Sequence, residues 1–209
     1  MFGVTQMNYL QHIERYLFSY DYSVYNLESL GADEEHNILW ITGLSGSGKS
    51  TLAYDLVPIN QVISLDTYSE WNMFYGRNVN FNSFLNLTVK DWIKVPNAIN
   101  SFRFTHKYFE IVDNIRNAIF EYSKQLFYDD KILIVEGIQI ADNWLCADYD
   151  YLIGQPIIIL KTPIRTCMKR VYKRDRLKPM FFEDKQNYEN FRKMWSNLNN
   201  LNQFMQDNC

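Results

Sequence analysis

No stretch of the 209 residues is apolar for long enough to cross a bilayer. Met1 to Tyr20 also lacks the basic head and following apolar run of a secretory signal. The three cysteines, Cys146, Cys167 and Cys209, are far apart and odd in number, with no CxxC pair and no Cys/His cluster. That pattern argues against a disulfide framework and against a zinc knuckle, and a reducing cytoplasm is the expected setting. A formal net charge of −3 leaves no general positive excess to hold a polyanion, so a nucleic-acid partner would need a local basic patch. There is no internal repeat, no low-complexity tract and no linker that divides the chain in two.

What is present alternates between apolar runs and helical periodicity. Met7, Leu10, Ile13 and Leu17 recur at intervals of three and four, which predicts an amphipathic helix within residues 5–20. An acidic, turn-like stretch from Gly31 to His36 follows, and residues 1–36 read as a helical appendage to a core domain of residues 37–209. Ile38–Thr42, Val62–Leu65, Ile132–Val135 and Pro156–Leu160 are compact apolar runs suited to buried strands, with Tyr151–Ile153 as a short extra one. Helices are predicted over 50–57, ended by Pro58, over 107–127, with Phe109, Val112, Ile115, Ile119 and Leu126 on one face, over 165–174 and over 184–206. Residues 67–104 read as irregular with short helices. Strands alternating with helices imply an α/β fold: a three-layer α/β/α sandwich with a mainly parallel sheet.

Gly43-Leu44-Ser45-Gly46-Ser47-Gly48-Lys49-Ser50 matches the phosphate-loop pattern GxxxxGK[ST] without a mismatch, and it lies between a predicted strand and a predicted helix. The residue types fit the chemistry. Glycines let successive backbone N–H groups converge on a phosphate, and the following helix adds its positive N-terminal dipole. Lys49 offsets β/γ-phosphate charge, and Ser50 offers a hydroxyl to Mg²⁺. The nucleotide-binding candidates are Gly43, Ser45, Gly46, Ser47, Gly48, Lys49, Ser50 and Thr51, with ATP and Mg²⁺ as the expected cofactors. The alternative is a glycine turn that spells the motif by coincidence.

Phosphoryl transfer also needs a metal partner and a group that orients the nucleophile. Asp66 follows the second core strand and Glu136 the third, so both are expected at the carboxyl edge of the sheet. Asp66 could accept a proton from an acceptor hydroxyl, or it could be a turn-starting aspartate. Glu136 could hold the metal, directly or through water, or it could be a solvated strand end.

Ile63-Ser64-Leu65-Asp66-Thr67-Tyr68, Val135-Glu136-Gly137-Ile138 and the Arg-rich stretch from Arg170 to Asp175 resemble segments of the uridine-kinase-like group of P-loop kinases. The resemblance covers motifs over about residues 38–66 and 131–176, in the same order. It implies a P-loop NTPase fold with an Arg-rich lid, Asp66 as acceptor base, Glu136 as metal partner, and Arg170 and Arg174 as phosphate clamps. The family's substrate-contacting segment has no match within residues 69–130. Gly43 to Thr51 is also similar to the loop of adenylylsulfate kinases, but those carry a second Asp two places after the first, where this chain has Tyr68.

Lys161, Arg165, Lys169, Arg170, Lys173, Arg174, Arg176 and Lys178 crowd one segment in which Asp175 is the sole acid. Arg170 and Arg174 are four apart and share a helical face, which suits a lid over a triphosphate; a solvated basic face and a polynucleotide contact are the alternatives. Tyr68, Trp71, Tyr75, Arg77, Trp92, Phe102, Arg103 and His106 lie where such kinases receive the acceptor. Of these, Tyr68 and Arg77 are the substrate candidates, although a ring is more often core than site. The resulting expectation is an ATP-dependent kinase acting on a hydroxyl of a small, nucleoside- or nucleotide-like acceptor. A polynucleotide or modified-base kinase, an adenylylsulfate-type kinase and a non-transferring NTP-binding regulatory module are the rivals. A nucleic-acid partner is the less favoured reading, and no membrane partner is expected.

Overall fold

The computed structural model describes residues 3–65, 106–142, 148–175 and 185–209. Five strands form one sheet in the order β1-β5-β2-β4-β3: β1 (Tyr22–Tyr25), β2 (Ile38–Gly43), β3 (Val62–Ser64), β4 (Leu133–Glu136) and β5 (Ile157–Leu160). The pairs β2–β4, β2–β5 and β3–β4 are parallel. Among the described strands only β1 runs antiparallel, with Tyr22 opposite Leu160 and Tyr25 opposite Ile157. The fold is α/β with a mostly parallel sheet.

β2 lies at the centre because all six of its residues are buried, as a strand covered on both faces requires. Its side chains alternate between two cores. Ile38 and Trp40 join Val135, Ile157 and Ile159 on one face, whereas Leu39 and Ile41 join Ile134, Ile158 and Leu160 on the other. The first face is covered by α3 (His106–Tyr128), α4 (Ile164–Asp175) and α5 (Lys185–Asn208) through Ile115, Ile119, Leu126, Met168, Val171, Leu198, Leu201 and Met205. The second is covered by α1 (Gly3–Leu17) and α2 (Lys49–Leu56) through Ile13, Leu17, Leu52, Ala53 and Leu56. Ile13 and Leu17 are each 1% exposed, and burying side chains of this size stabilises by about 1.5–3 kcal/mol apiece.

The expected strands and helices of the core domain lie within a residue or two of their predicted bounds, with one difference there and one in the segment expected to be a helical appendage. Tyr151–Ile153 is not a strand. Asp150–Leu152 forms a 3₁₀ turn, closed by Leu152 N–H donating to Tyr149 O at 2.8 Å, and Gly154 then turns the chain at φ 75° toward β5. Residues 22–25, which carry no strong apolar pattern, form a strand that joins the sheet edge beside β5. The expectation of short helices within 67–104 and the side chains of Met7, His106, Phe109 and Val112 fall outside what is described.

The parallel strands place their carboxyl ends at one edge. From β2 the chain passes to β3 and β4 on one side and then crosses to β5 on the other. The carboxyl end of β2 is thus where the path along the sheet reverses, the position at which open α/β sheets leave a crevice for a ligand.

Candidate functional site

The loop leaving β2 occupies that crevice. It runs from Gly43 into α2, whose first helical residue is Lys49. Two glycines set its path. Gly46 has φ 82°, and a Cβ there would stand 2.6 Å from the carbonyl oxygen of Cys167 on α4. Gly48 caps α2 at φ 105°, and a Cβ there would stand 2.9 Å from Cε1 of Tyr20. Side chains at either position would meet both an unfavourable backbone and an occupied space.

The loop is fastened from outside. Thr162 Oγ1 donates to Ser47 O at 3.2 Å, and Arg170 Nη1 donates to Gly46 O at 3.2 Å and Ser47 O at 3.3 Å. Lys49, 4% exposed, crosses the loop from inside and donates from Nζ to Leu44 O at 3.2 Å. Below the loop, burial pushes the Cys167 thiol up to about 11 against the opposing effect of Arg170 and Lys49. Its Sγ donates to Thr162 O at 3.4 Å, and the buried side chain packs in the first core.

Glu136 reaches the loop from β4. The register places it between Ile41 of β2 and Ser64 of β3, and it is fully buried. Ser50, at the second position of α2, donates from Oγ to Glu136 Oε1 at 3.0 Å. A hydroxyl and a carboxylate side by side at the end of a parallel sheet are hard oxygen donors of the kind magnesium takes. Magnesium usually needs only one or two protein oxygens because phosphates and waters complete its shell. Among the described residues no group of three or more His, Cys, Asp and Glu could hold a metal ion.

The loop opens on a cavity of ≈ 710 Å³, which Ser50 lines and which Glu136 approaches only through its bond to Ser50. Ser45, Gly46, Gly48, Lys49, Ser50 and Thr51 form its floor, Ser64 one side, and Arg170 and Arg174 another. Arg174 also pairs with the neighbouring Asp175, its Nε 2.6 Å from Oδ1, which holds that carboxyl below its usual range. Of the sequence candidates, the structure therefore brings together the phosphate loop, Thr51, Arg170 and Arg174, with Glu136 bonded to Ser50. Arg170 bonds the loop's own carbonyls. Asp66, Tyr68 and Arg77 lie outside the described residues, as do Arg176, Lys178 and Cys146.

The remaining wall comes from residues that sequence reasoning missed: Ser19, Tyr20 and Tyr54. Tyr54 lies four positions after Ser50 on α2, so helical spacing could have found it. Nothing local marks Ser19 or Tyr20, which line the cavity from the segment between α1 and β1.

Compared with known proteins, the chain matches no family model, no curated protein and no solved structure. Among the described residues no helix is long and apolar enough to cross a membrane.

Proposed function

We propose that the chain is a P-loop phosphotransferase, an ATP-dependent kinase that transfers the γ-phosphate to a hydroxyl of a small, nucleoside- or nucleotide-like acceptor. One observation carries this reading. A buried lysine, a helix-start serine and a buried strand-end carboxylate meet at a glycine-shaped loop, with Ser50 Oγ 3.0 Å from Glu136 Oε1. The reversal of the chain's path at β2 and the basic helix α4 beside the loop support it as well.

In this reading the loop amides and the start of α2 bind the polyphosphate. Ser50 and Glu136 would hold magnesium, which supplies charge neutralisation at the β- and γ-phosphates. Lys49 stabilises negative charge on the transferred group. Arg170 keeps the loop carbonyls turned outward, and Arg174 faces the cavity from the lid helix. Asp66, two residues after the cavity-lining Ser64, orients the acceptor hydroxyl and takes its proton. Most of the acceleration comes from position and electrostatics, since little covalent chemistry is asked of the protein.

The test combines calorimetry with acceptor-dependent turnover. Well-folded protein should take up MgATP and should release ADP only when the right member of a nucleoside, nucleotide and adenylylsulfate panel is present. ATP consumption without an acceptor would point to a hydrolase or switch, and steeply salt-dependent binding to oligonucleotides would point to a polynucleotide acceptor. Absence of any nucleoside triphosphate uptake would remove the proposal altogether.

A further inference from the structure

The segment joining α1 to β1 sits in the same cavity as the loop, and its placement is held from two sides. Tyr20 N–H donates to Leu17 O at 2.8 Å, which ties it to the end of α1, whose Leu17 is buried against the second core. One residue later, Lys161 N–H donates to Asp21 O at 2.7 Å, which extends the β1–β5 pairing toward Thr162. Thr162 in turn bonds Ser47 O. The backbone that carries Tyr20 and the backbone of the loop are therefore linked through β5.

The phenol is delivered to the loop's last glycine. From the position a Gly48 Cβ would take, Tyr20 Cε1 is 2.9 Å away, Oη 3.4 Å and Cζ 3.6 Å. Gly48 caps α2, so the hydroxyl lies beside the helix start at which a phosphate is expected. We infer that Tyr20 is a phosphate-binding residue of this site, its hydroxyl donating to a nucleotide phosphate beside Gly48, and that the N-terminal segment thereby completes the nucleotide pocket.

The surroundings keep the hydroxyl a donor. Burial, with a contribution from the Asp55 carboxylate, raises the phenol above its ordinary range against the opposing effect of Arg170, so it remains protonated at neutral pH. The half-buried ring packs against the core under α1 and α2 and forms the cavity wall together with Tyr54. A phenyl ring at this position would keep the wall and lose only the donor.

This inference rests on reading the cavity as a triphosphate site, and the experiment separates the two. MgATP, MgADP and adenosine are titrated calorimetrically into the full-length wild type, Tyr20→Phe and Tyr20→Leu, with thermal melting of each. Loss of a hydrogen bond to a charged phosphate weakens binding by about tenfold or more. Tyr20→Phe should therefore bind MgATP and MgADP about tenfold more weakly, with adenosine affinity and melting temperature unchanged. If Tyr20→Phe matches the wild type, the phosphate assignment is wrong, whether or not Tyr20→Leu is impaired; impairment of the leucine variant alone would make the ring a base-stacking or packing surface. If the wild type itself takes up no triphosphate, the reading of the cavity fails and the Tyr20 assignment with it.

Discussion

The two edges of the sheet use polar residues in opposite ways. At the amino edge they are spent on the backbone. Asn37, 1% exposed, donates from Nδ2 to Ser123 O at 3.0 Å and Lys131 O at 2.9 Å. Gln155 donates to Glu35 O at 3.1 Å, and the Tyr122 hydroxyl donates to Asn60 O at 2.7 Å. Asp33 gathers the N–H groups of Glu35 and His36, each at 2.9 Å, and His36 Nδ1 at 2.8 Å. At the carboxyl edge Lys49, Ser50, Thr51, Ser64 and Arg174 border a cavity of ≈ 710 Å³. At the amino edge these donors are spent on backbone carbonyls within the protein, so they contribute to stability. The carboxyl edge keeps its polar groups beside open space, where a ligand can reach them.

Mutations at the two edges should separate these roles. The largest effect is expected at Asp66, two residues after Ser64 in the sequence. Asp66→Asn should lower acceptor-dependent transfer by about 10²–10⁴-fold while calorimetry finds nucleotide binding retained. Lys49→Ala should reduce transfer by about 10²–10³-fold and weaken triphosphate binding with it, yet leave the melting temperature unchanged. The amino edge should respond in reverse. Asn37→Ala leaves two carbonyls without their donor and should cost about 1–3 kcal/mol in urea unfolding, with nucleotide affinity of the folded protein unchanged. A parallel loss of affinity in that variant would break the division between edges.

The smallest effect belongs to Asp33. Desolvation raises its carboxyl, but the hydrogen bonds from the His36 side chain and backbone outweigh this and hold it below its ordinary value of 3.8. A depressed folded value means that the contribution is present above 3.8 and is lost as the pH falls through the folded value. Because the side chain is half exposed, Asp33→Ala should cost only about a few tenths of a kcal/mol at pH 7. The gap between variant and wild type should narrow in unfolding titrations as the pH falls below 3.8.

Much of the carboxyl edge is legible in the amino-acid order, for a physical reason. Ile38–Ile41, Ile132–Val135 and Pro156–Leu160 are apolar throughout because strands covered on both faces have no polar side to show. The glycine pattern of 43–48 is equally plain because few other residue types tolerate those dihedrals. β1 is not legible. Tyr-Ser-Val-Tyr is half exposed at the sheet edge and has no apolar run to betray it. Tyr151–Ile153 misleads in the other direction, since three bulky residues resemble a strand until Gly154 turns the chain. The Arg170 and Arg174 pair follows from helical spacing, but spacing cannot say that Arg170 bonds the loop's carbonyls. Tyr20 is invisible for a deeper reason, because its neighbours are set by a strand pair that spans most of the chain.

That strand pair also bears on the order of assembly. Tyr22–Tyr25 is made before β2, β3 and β4, and its partner Ile157–Leu160 only after them. The edge strand must wait unpaired through that interval, and its zipping onto β5 is a long-range closure that local contacts cannot hasten. The pocket wall it carries therefore depends on a contact between segments that the intervening β2, β3 and β4 hold far apart in sequence.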